Sequence, residues 1–296
     1  MTNIHILGAG AMGCLWATYF QQDVANKQTN VHFIVRNKDQ WPSSPTELQR
    51  QPDSLSLPIH VTDSSTANGI NKLIVATKAQ HALAAIKSVE HGLSPDCEVL
   101  LLQNGMGSQQ AVAEAFPNLT VYACSSTEGA YKTNVQTVVH AGKGENHIGP
   151  MTSKASENKL SAWLPETAFT WHDDIESVLW RKLVVNAAIN PLTVYYQCQN
   201  GELLNNTKAL HHMETLCQEL DLLIAKKKLP IVDTFELAKS VCERTAKNYS
   251  SMYKDAEAGR QTEIDFINGY IVKECQRHEI PCTAHSALVD YIQNLN

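Results

Sequence analysis

Short apolar runs alternate with helix-length segments through the first half of the chain. Residues 4–7 and 31–35 read as strands, and 73–77 and 99–102 are further strands that are apolar on both faces, as expected for burial in a parallel sheet. Residues 11–20, 80–90 and 108–116 fit helices between them, and strands near Val121, over 135–140 and at 147–149 extend the sheet. Residues 41–56, rich in Pro, Ser and Gln, read as an irregular segment. This βαβ alternation predicts an N-terminal Rossmann-type, doubly wound α/β domain. Beyond Trp171 the strand-length clusters of Val, Ile and Thr stop. Residues 175–189, 206–227, 234–258 and 263–278 read as helices, with breaks at Asn190-Pro191, Pro230, Gly259 and Pro281. The expected organisation is a sheet domain over 1–172 and an all-α C-terminal domain over 173–296.

Composition narrows the class. With 24 basic and 30 acidic residues and a net charge of -6, the chain shows no clustered Lys and Arg, so neither nucleic acid nor an anionic membrane is an expected partner. No apolar run approaches the ~20 residues of a bilayer span. The chain opens as a strand, without the basic and apolar regions of a secretory signal, and the expected location is the cytoplasm. Eight scattered cysteines include no Cys-x-x-Cys pair and read as reduced thiols. The twelve histidines show no metal spacing, and no metal is expected.

The sharpest motif is Gly8-Ala9-Gly10-Ala11-Met12-Gly13, a G-x-G-x-x-G run that leaves a strand and opens a helix. In that context the glycines allow a tight turn, close approach of a pyrophosphate and close helix packing, while the helix N-terminus favours phosphate. A purely structural glycine turn is the bland alternative. After the second strand stands Arg36, where an NAD site would carry a carboxylate for the ribose hydroxyls. A guanidinium there suits a 2′-phosphate, so NADP(H) is the expected cofactor, although a surface arginine after a strand is also common. Lys78 and Asn104 follow the third and fourth strands, at the edge where ligands of such sheets bind. Either could be an ordinary loop residue.

In the second half, Lys182, Asn186 and Asn190 fall on one stripe of an otherwise apolar helix at about 3.6 residues per turn. Buried without partners they would each cost kcal/mol, so the stripe either lines a polar cleft or is a narrow exposed face. Asn248, Ser251 and Asp255 have the spacing of a shared helical face. Thr262-Glu263-Ile264-Asp265 has the form of a capping box, which would make Glu263 a helix-dipole carboxylate.

Together these motifs resemble those of the ketopantoate reductase family. The likeness rests on Gly8–Gly13, Thr77-Lys78-Ala79, Gln103-Asn104-Gly105-Met106-Gly107, Leu179-Trp180-Arg181-Lys182-Leu183, Asn186 and Asn190-Pro191-Leu192-Thr193. It continues through Asn200-Gly201-Glu202-Leu203, Ser250-Ser251-Met252 and residues 262–269, in order along nearly the whole chain. The resemblance implies reduction of 2-dehydropantoate to (R)-pantoate with NADPH, in pantothenate and coenzyme A synthesis. It implies Lys182 as general acid and Asn186, Asn190, Asn200 and Ser251 as substrate ligands; Asn248, by its spacing from Ser251, is a further candidate substrate ligand. It also implies that Asn104 and Glu263 contact the cofactor or complete the site, with Lys78 close and Ala130 at a cofactor-contacting position. Gln103 replaces a common His, the 125–128 run is less Thr-rich than usual, and residues 41–56 look private to this chain. Two readings compete: a reductase of another small branched 2-oxo acid, and a non-catalytic NADP(H)-binding sensor, which would have no use for Lys182, Asn186, Asn190 and Glu263. The expected state is a monomer or homodimer.

Overall fold

The apolar runs of the first half do become strands, and the computed structural model describes residues 2–22, 29–41, 46–165 and 168–295. The chain forms two compact units, one of Met1–Gln103 with Ser108–Ile175, the other of Asn104–Gly107 with Glu176–Asn296.

The first unit contains β1 (Thr2–Leu7), α1 (Ala11–Gln22), β2 (Thr29–Val35), β3 (Thr46–Gln51), β4 (Leu55–Asp63), β5 (Ile70–Val75), α2 (Ala79–Ser88), β6 (Leu93–Leu101) and α3 (Ser108–Ala115). It continues with β7 (Thr120–Ser126), β8 (Gly129–Lys132), β9 (Thr137–Gly142), β10 (Asn146–Pro150), α4 (Glu157–Ser161) and β11 (Thr170–Trp171). Among the described residues these strands form one sheet of order β11-β10-β7-β6-β5-β1-β2-β4-β3-β9-β8. β1 pairs in parallel with β2 and β5, β5 with β6, and β6 with β7. One face is covered by α1, whose Leu15, Trp16 and Phe20 join Ile4, Ile6 and Phe33 in a dry core. On the other face, Ala82 and Ile86 of α2 and Val112 of α3 pack on Leu7, Ile34, Val75 and Val99. The sheet is therefore wound on both sides, and its central strands read as continuous apolar runs because neither face meets water.

Residues 41–56 correct the sequence reading. Within them lie β3 and the start of β4, paired antiparallel with Leu48 opposite Leu57; residues 42–45 fall outside the described residues. β3 alternates strictly, with Thr46, Leu48 and Arg50 inward and Glu47, Gln49 and Gln51 outward. Two of its three inward side chains are polar, which hides the period of two. Arg50 is 3% exposed because its guanidinium bonds to Asp53 and to the Thr18 hydroxyl. β8 was likewise missing from the sequence reading.

The second unit is helical. Its elements are α5 (Ile175–Tyr196, which begins one residue before the unit), α6 (Glu202–Asn205), α7 (Thr207–Lys227), α8 (Thr234–Arg244), α9 (Ser251–Glu257), α10 (Asn268–Arg277) and α11 (Thr283–Gln293). Three expectations change here. α5 runs through Pro191 instead of stopping at Asn190. The helix expected over 234–258 breaks after Arg244, because Ser250 caps a separate α9 by accepting from the Tyr253 N–H; a hydroxyl serves better as a cap than inside a helix. The capping box at Thr262 opens only a 3-10 turn over Ile264–Phe266, and α10 starts at Asn268. Among the described residues no helix is long and apolar enough to cross a membrane.

Candidate functional site

In the first unit, the turn from β1 into α1 is built from its glycines. Gly8 has φ 104°, a left-handed value, and its N–H donates to the Ile34 carbonyl. A Cβ on Gly13 would collide with the Gly8 carbonyl oxygen, so α1 can rest this close to the turn only with glycine there. At Gly10 the nearest atom a Cβ would meet is the Ala76 carbonyl oxygen, 4.0 Å away. The space above the middle glycine is thus open, as a pyrophosphate lying on Gly8, Ala9, Gly10, Ala11, Met12 and Gly13 would require. The Lys132 ammonium donates to the Ala9 carbonyl at 2.9 Å and ties β8 to this turn. Ala130 lies in the same strand, opposite His140. Lys132 was not legible as part of the loop from sequence.

Cationic groups gather at the neighbouring strand ends. Arg36 is exposed just after β2, and Lys78 occupies the N-cap of α2. His81 has its pKa lowered by burial and then by the positive charges of Arg36 and Lys78. Close by in sequence, both polar atoms of the Gln80 amide and the Thr77 hydroxyl are buried without a hydrogen-bond partner among the described residues. Buried polar groups are rarely left unsatisfied, so these atoms fit a polar ligand at the end of β5. No local signal in the sequence marks Gln80 and His81, which fall in the first turn of α2.

In the second unit, two contacts through Asn104 join three of the predicted residues. The Lys182 ammonium of α5 donates to Asn104 Oδ1 at 2.6 Å, and Asn104 Nδ2 faces Glu263 Oε2 at 3.5 Å. Gly105 makes this approach possible. Its φ is 76°, a Cβ there would strike the Phe266 carbonyl, and the next N–H, of Met106, donates to that carbonyl at 2.8 Å. The strip carrying Asn104 is thereby seated on the turn that begins at Glu263. Asn186 and Asn190 follow Lys182 at one and two helical turns, with Asn190 8% exposed.

The remaining candidates sit beside this group. Thr193 donates to the Asn190 carbonyl at 2.7 Å, so in its 2.7 Å contact with Ser250 the serine hydroxyl is the donor. That contact fastens the α9 N-terminus, and with it exposed Ser251, to the end of α5. Asn200 donates from Nδ2 to the Thr245 hydroxyl at 2.8 Å, while its buried Oδ1 lacks a partner among the described residues. The Asn248 carbonyl accepts from the Asn200 N–H at 2.9 Å, but its side chain is exposed and lies outside α9, so the face expected for Asn248, Ser251 and Asp255 does not form. Asp255 pairs instead with Arg260.

A cavity of about 490 Å³ in the first unit is lined by other residues, including Tyr19, Arg50, Glu128, His140 and Asn146. Its hub is Glu128, which accepts from the Tyr19 hydroxyl at 2.7 Å and the Gly144 N–H at 2.9 Å and pairs with His140 at 2.6 Å.

Comparison with known proteins bears on both units. Residues 4–153 match the family profile described as ketopantoate reductase PanE/ApbA, and residues 174–296 match its C-terminal profile. A 2-dehydropantoate 2-reductase from Vibrio cholerae is 30% identical over 99% of this chain and 97% of its own length. The crystal structure of a probable 2-dehydropantoate 2-reductase from Bacillus subtilis superposes with a TM-score of 0.82 at 27% identity, covering 99% of this chain and all of that one. D-mandelate dehydrogenase in complex with NADH and anilino(oxo)acetate shares the fold, with a TM-score of 0.85 at 22% identity over 99% of this chain and 98% of that one.

Proposed function

Given that the chain belongs to the ketopantoate reductase family, we propose that it reduces 2-dehydropantoate to (R)-pantoate with NADPH, a step of pantothenate and coenzyme A synthesis. The observation that carries this reading is the 2.6 Å bond from the Lys182 ammonium to Asn104, with Glu263 against the same amide. A bound nicotinamide nucleotide supplies the hydride. As the ketone carbon is reduced, charge builds on its oxygen. The Lys182 ammonium stabilises that charge and gives up a proton to complete the alcohol, then recovers one from solvent. Asn104 fixes the position of the amine, and Glu263 orients Asn104. Asn186 and Asn190 present amides along the same stripe, suited to the carboxylate and hydroxyl of a branched 2-oxo acid, and such fixed partners hold the ketone in a reactive pose. Asn200 and Ser251 serve the distal end of the acid.

The glycine turn fits a dinucleotide because its middle residue is open and its third is closed to any side chain. Arg36 and Lys78 support a 2′-phosphate, and hence NADPH over NADH, since they concentrate positive charge beyond β2 and β5, enough to help burial hold the His81 pKa down. The test is consumption of NADPH or NADH with 2-dehydropantoate, 2-oxoisovalerate and acetolactate. We expect 2-dehydropantoate with NADPH to be clearly preferred. Equal rates across the acids would replace the substrate, a preference for NADH would replace the cofactor, and no turnover with any pair would end the reductase reading.

A further inference from the structure

Pro191 should stop α5, yet the helix continues to Tyr196. A proline in a helix donates no N–H to the carbonyl four residues back, and its ring pushes that carbonyl aside. Here that carbonyl belongs to Ala187, which is fully buried and would be costly to leave unsatisfied. It is not left so: Asn268 Nδ2, at the start of α10, donates to the Ala187 oxygen at 3.0 Å. The same amide nitrogen donates to His285 Nδ1 of α11 at 2.8 Å, and His285 Nε2 meets the Leu216 carbonyl of α7 at 3.2 Å.

The chemistry of the chain admits one arrangement. Leu216 offers only an acceptor, so His285 carries its proton on Nε2 and presents Nδ1 as an acceptor. Asn268 then faces two acceptors and must turn its NH2, with its two protons, towards both. Burial holds the His285 pKa down at about 4, so the ring stays neutral and keeps the Nδ1 lone pair. Asn268 and His285 are each fully buried. Four helices are thereby pinned at the peptide of α5 that Pro191 deprives of its helical bond, and that peptide lies between Asn186 and Asn190.

We infer that Asn268 is a positioning residue: its amide replaces the hydrogen bond that Pro191 withholds from Ala187 and keeps Asn186 and Asn190 on the stripe of Lys182. The kinetic part of this inference rests on the function proposed above. The interaction is indirect, since Asn268 reaches the stripe only through the backbone of α5.

The test is a double-mutant cycle. N268A removes the replacement bond, P191A restores the helical N–H, and P191A/N268A has the helical bond without the side chain. Each protein is assayed far below its unfolding temperature for KM and kcat with the 2-oxo acid, for NADPH binding, and for hydrogen exchange of the α5 amides. N268A should raise KM for the acid and lower kcat/KM by about 30-fold, because it strands the buried Ala187 carbonyl and, with it, the His285 Nδ1 acceptor. Its NADPH affinity should hold, and exchange should quicken around residues 187–195. The double variant should recover about tenfold of that loss and slow the exchange again. A purely structural role would lower the fraction folded and leave KM alone. The inference is overturned if N268A keeps wild-type KM and α5 exchange, or if P191A fails to lessen its defect. If N268A does not fold, the double variant must; its failure to fold overturns the inference as well. A wild-type protein inert towards every 2-oxo acid removes the functional reading instead, and the exchange cycle then decides the helix bond by itself.

Discussion

Asn104 and Lys182 stand 78 residues apart in the chain, and the amide oxygen of one accepts the ammonium of the other at 2.6 Å. The two residues have different duties in the proposed reaction, and their variants should separate them. Lys182→Ala removes the proton donor and should cost about 10³-fold in kcat/KM while NADPH still binds. Asn104→Ala leaves the amine in place but loosens it, for a loss of about tenfold to 100-fold, the worth of one charge-assisted hydrogen bond. Steady-state kinetics with both variants decide it, and losses of equal size would show that Asn104 does more than hold the amine.

The glycine turn should give opposite results at two positions. Gly13→Ala places a methyl group on the Gly8 carbonyl and should destabilise the first unit. Gly10→Ala meets nothing closer than 4.0 Å, so folding should be unaffected while cofactor affinity falls. Thermal melts and NADPH titration of the two proteins test this. A stable Gly10→Ala variant that binds NADPH normally would show that no pyrophosphate lies on that residue.

Arg36 should govern the choice of nucleotide. Arg36→Ala should raise KM for NADPH by about tenfold or more and leave KM for NADH nearly unchanged, because a guanidinium–phosphate pair is lost in only one of the two complexes. Equal effects on both cofactors would move the 2′-phosphate elsewhere.

Acid should weaken the fold. Burial, reinforced by neighbouring His32, lowers the His5 pKa to about 4, and burial lowers that of His285 to about 4. Between about 6.5 and those values the unfolded chain takes up protons that the folded chain refuses, so protonation favours unfolding. The stability these groups contribute is complete above pH ~6.5, falls as pH drops, and is gone below about 4, at roughly 3 kcal/mol for each ring. His5→Phe keeps a ring beside His32 and should flatten part of the slope in melting temperature between pH 6.5 and 4. An unchanged slope would mean that this imidazole is not held neutral.

Glu128 should matter for stability more than for chemistry. Its carboxylate serves the Tyr19 hydroxyl, His140 and the Gly144 N–H together, with a side chain 6% exposed. Glu128→Ala strands all three and should cost about 3–5 kcal/mol in denaturant unfolding. A loss near zero would show that water replaces the carboxylate without penalty.

The sequence made the central sheet, the glycine turn and the Lys182 stripe readable because each is local: an apolar run, a hexapeptide and a four-residue period. It concealed elements whose logic depends on distant partners. β3 looked irregular because Arg50 points inward, and an inward arginine makes sense only once Asp53 and Thr18 are beside it. Pro191 looked like a helix end because the donor that rescues Ala187 comes from Asn268, 81 residues later. Asn248 seemed to share a helix with Ser251, since nothing local shows that Ser250 will cap instead of continue. The meeting of Lys182, Asn104 and Glu263 was implied by family resemblance and by no spacing in the chain itself.

Gln103 and Ser108 belong to one compact unit, while the four residues between them belong to the other, so the chain changes unit three times instead of once. The helical half is therefore not a cassette that can be cut at residue 175 and traded among relatives. Such a graft would carry Lys182 and Glu263 away from their own Asn104 and seat them against a foreign loop. A working chimaera has to transplant 104–107 together with 176–296, and any divergence within this family has to keep those two stretches compatible.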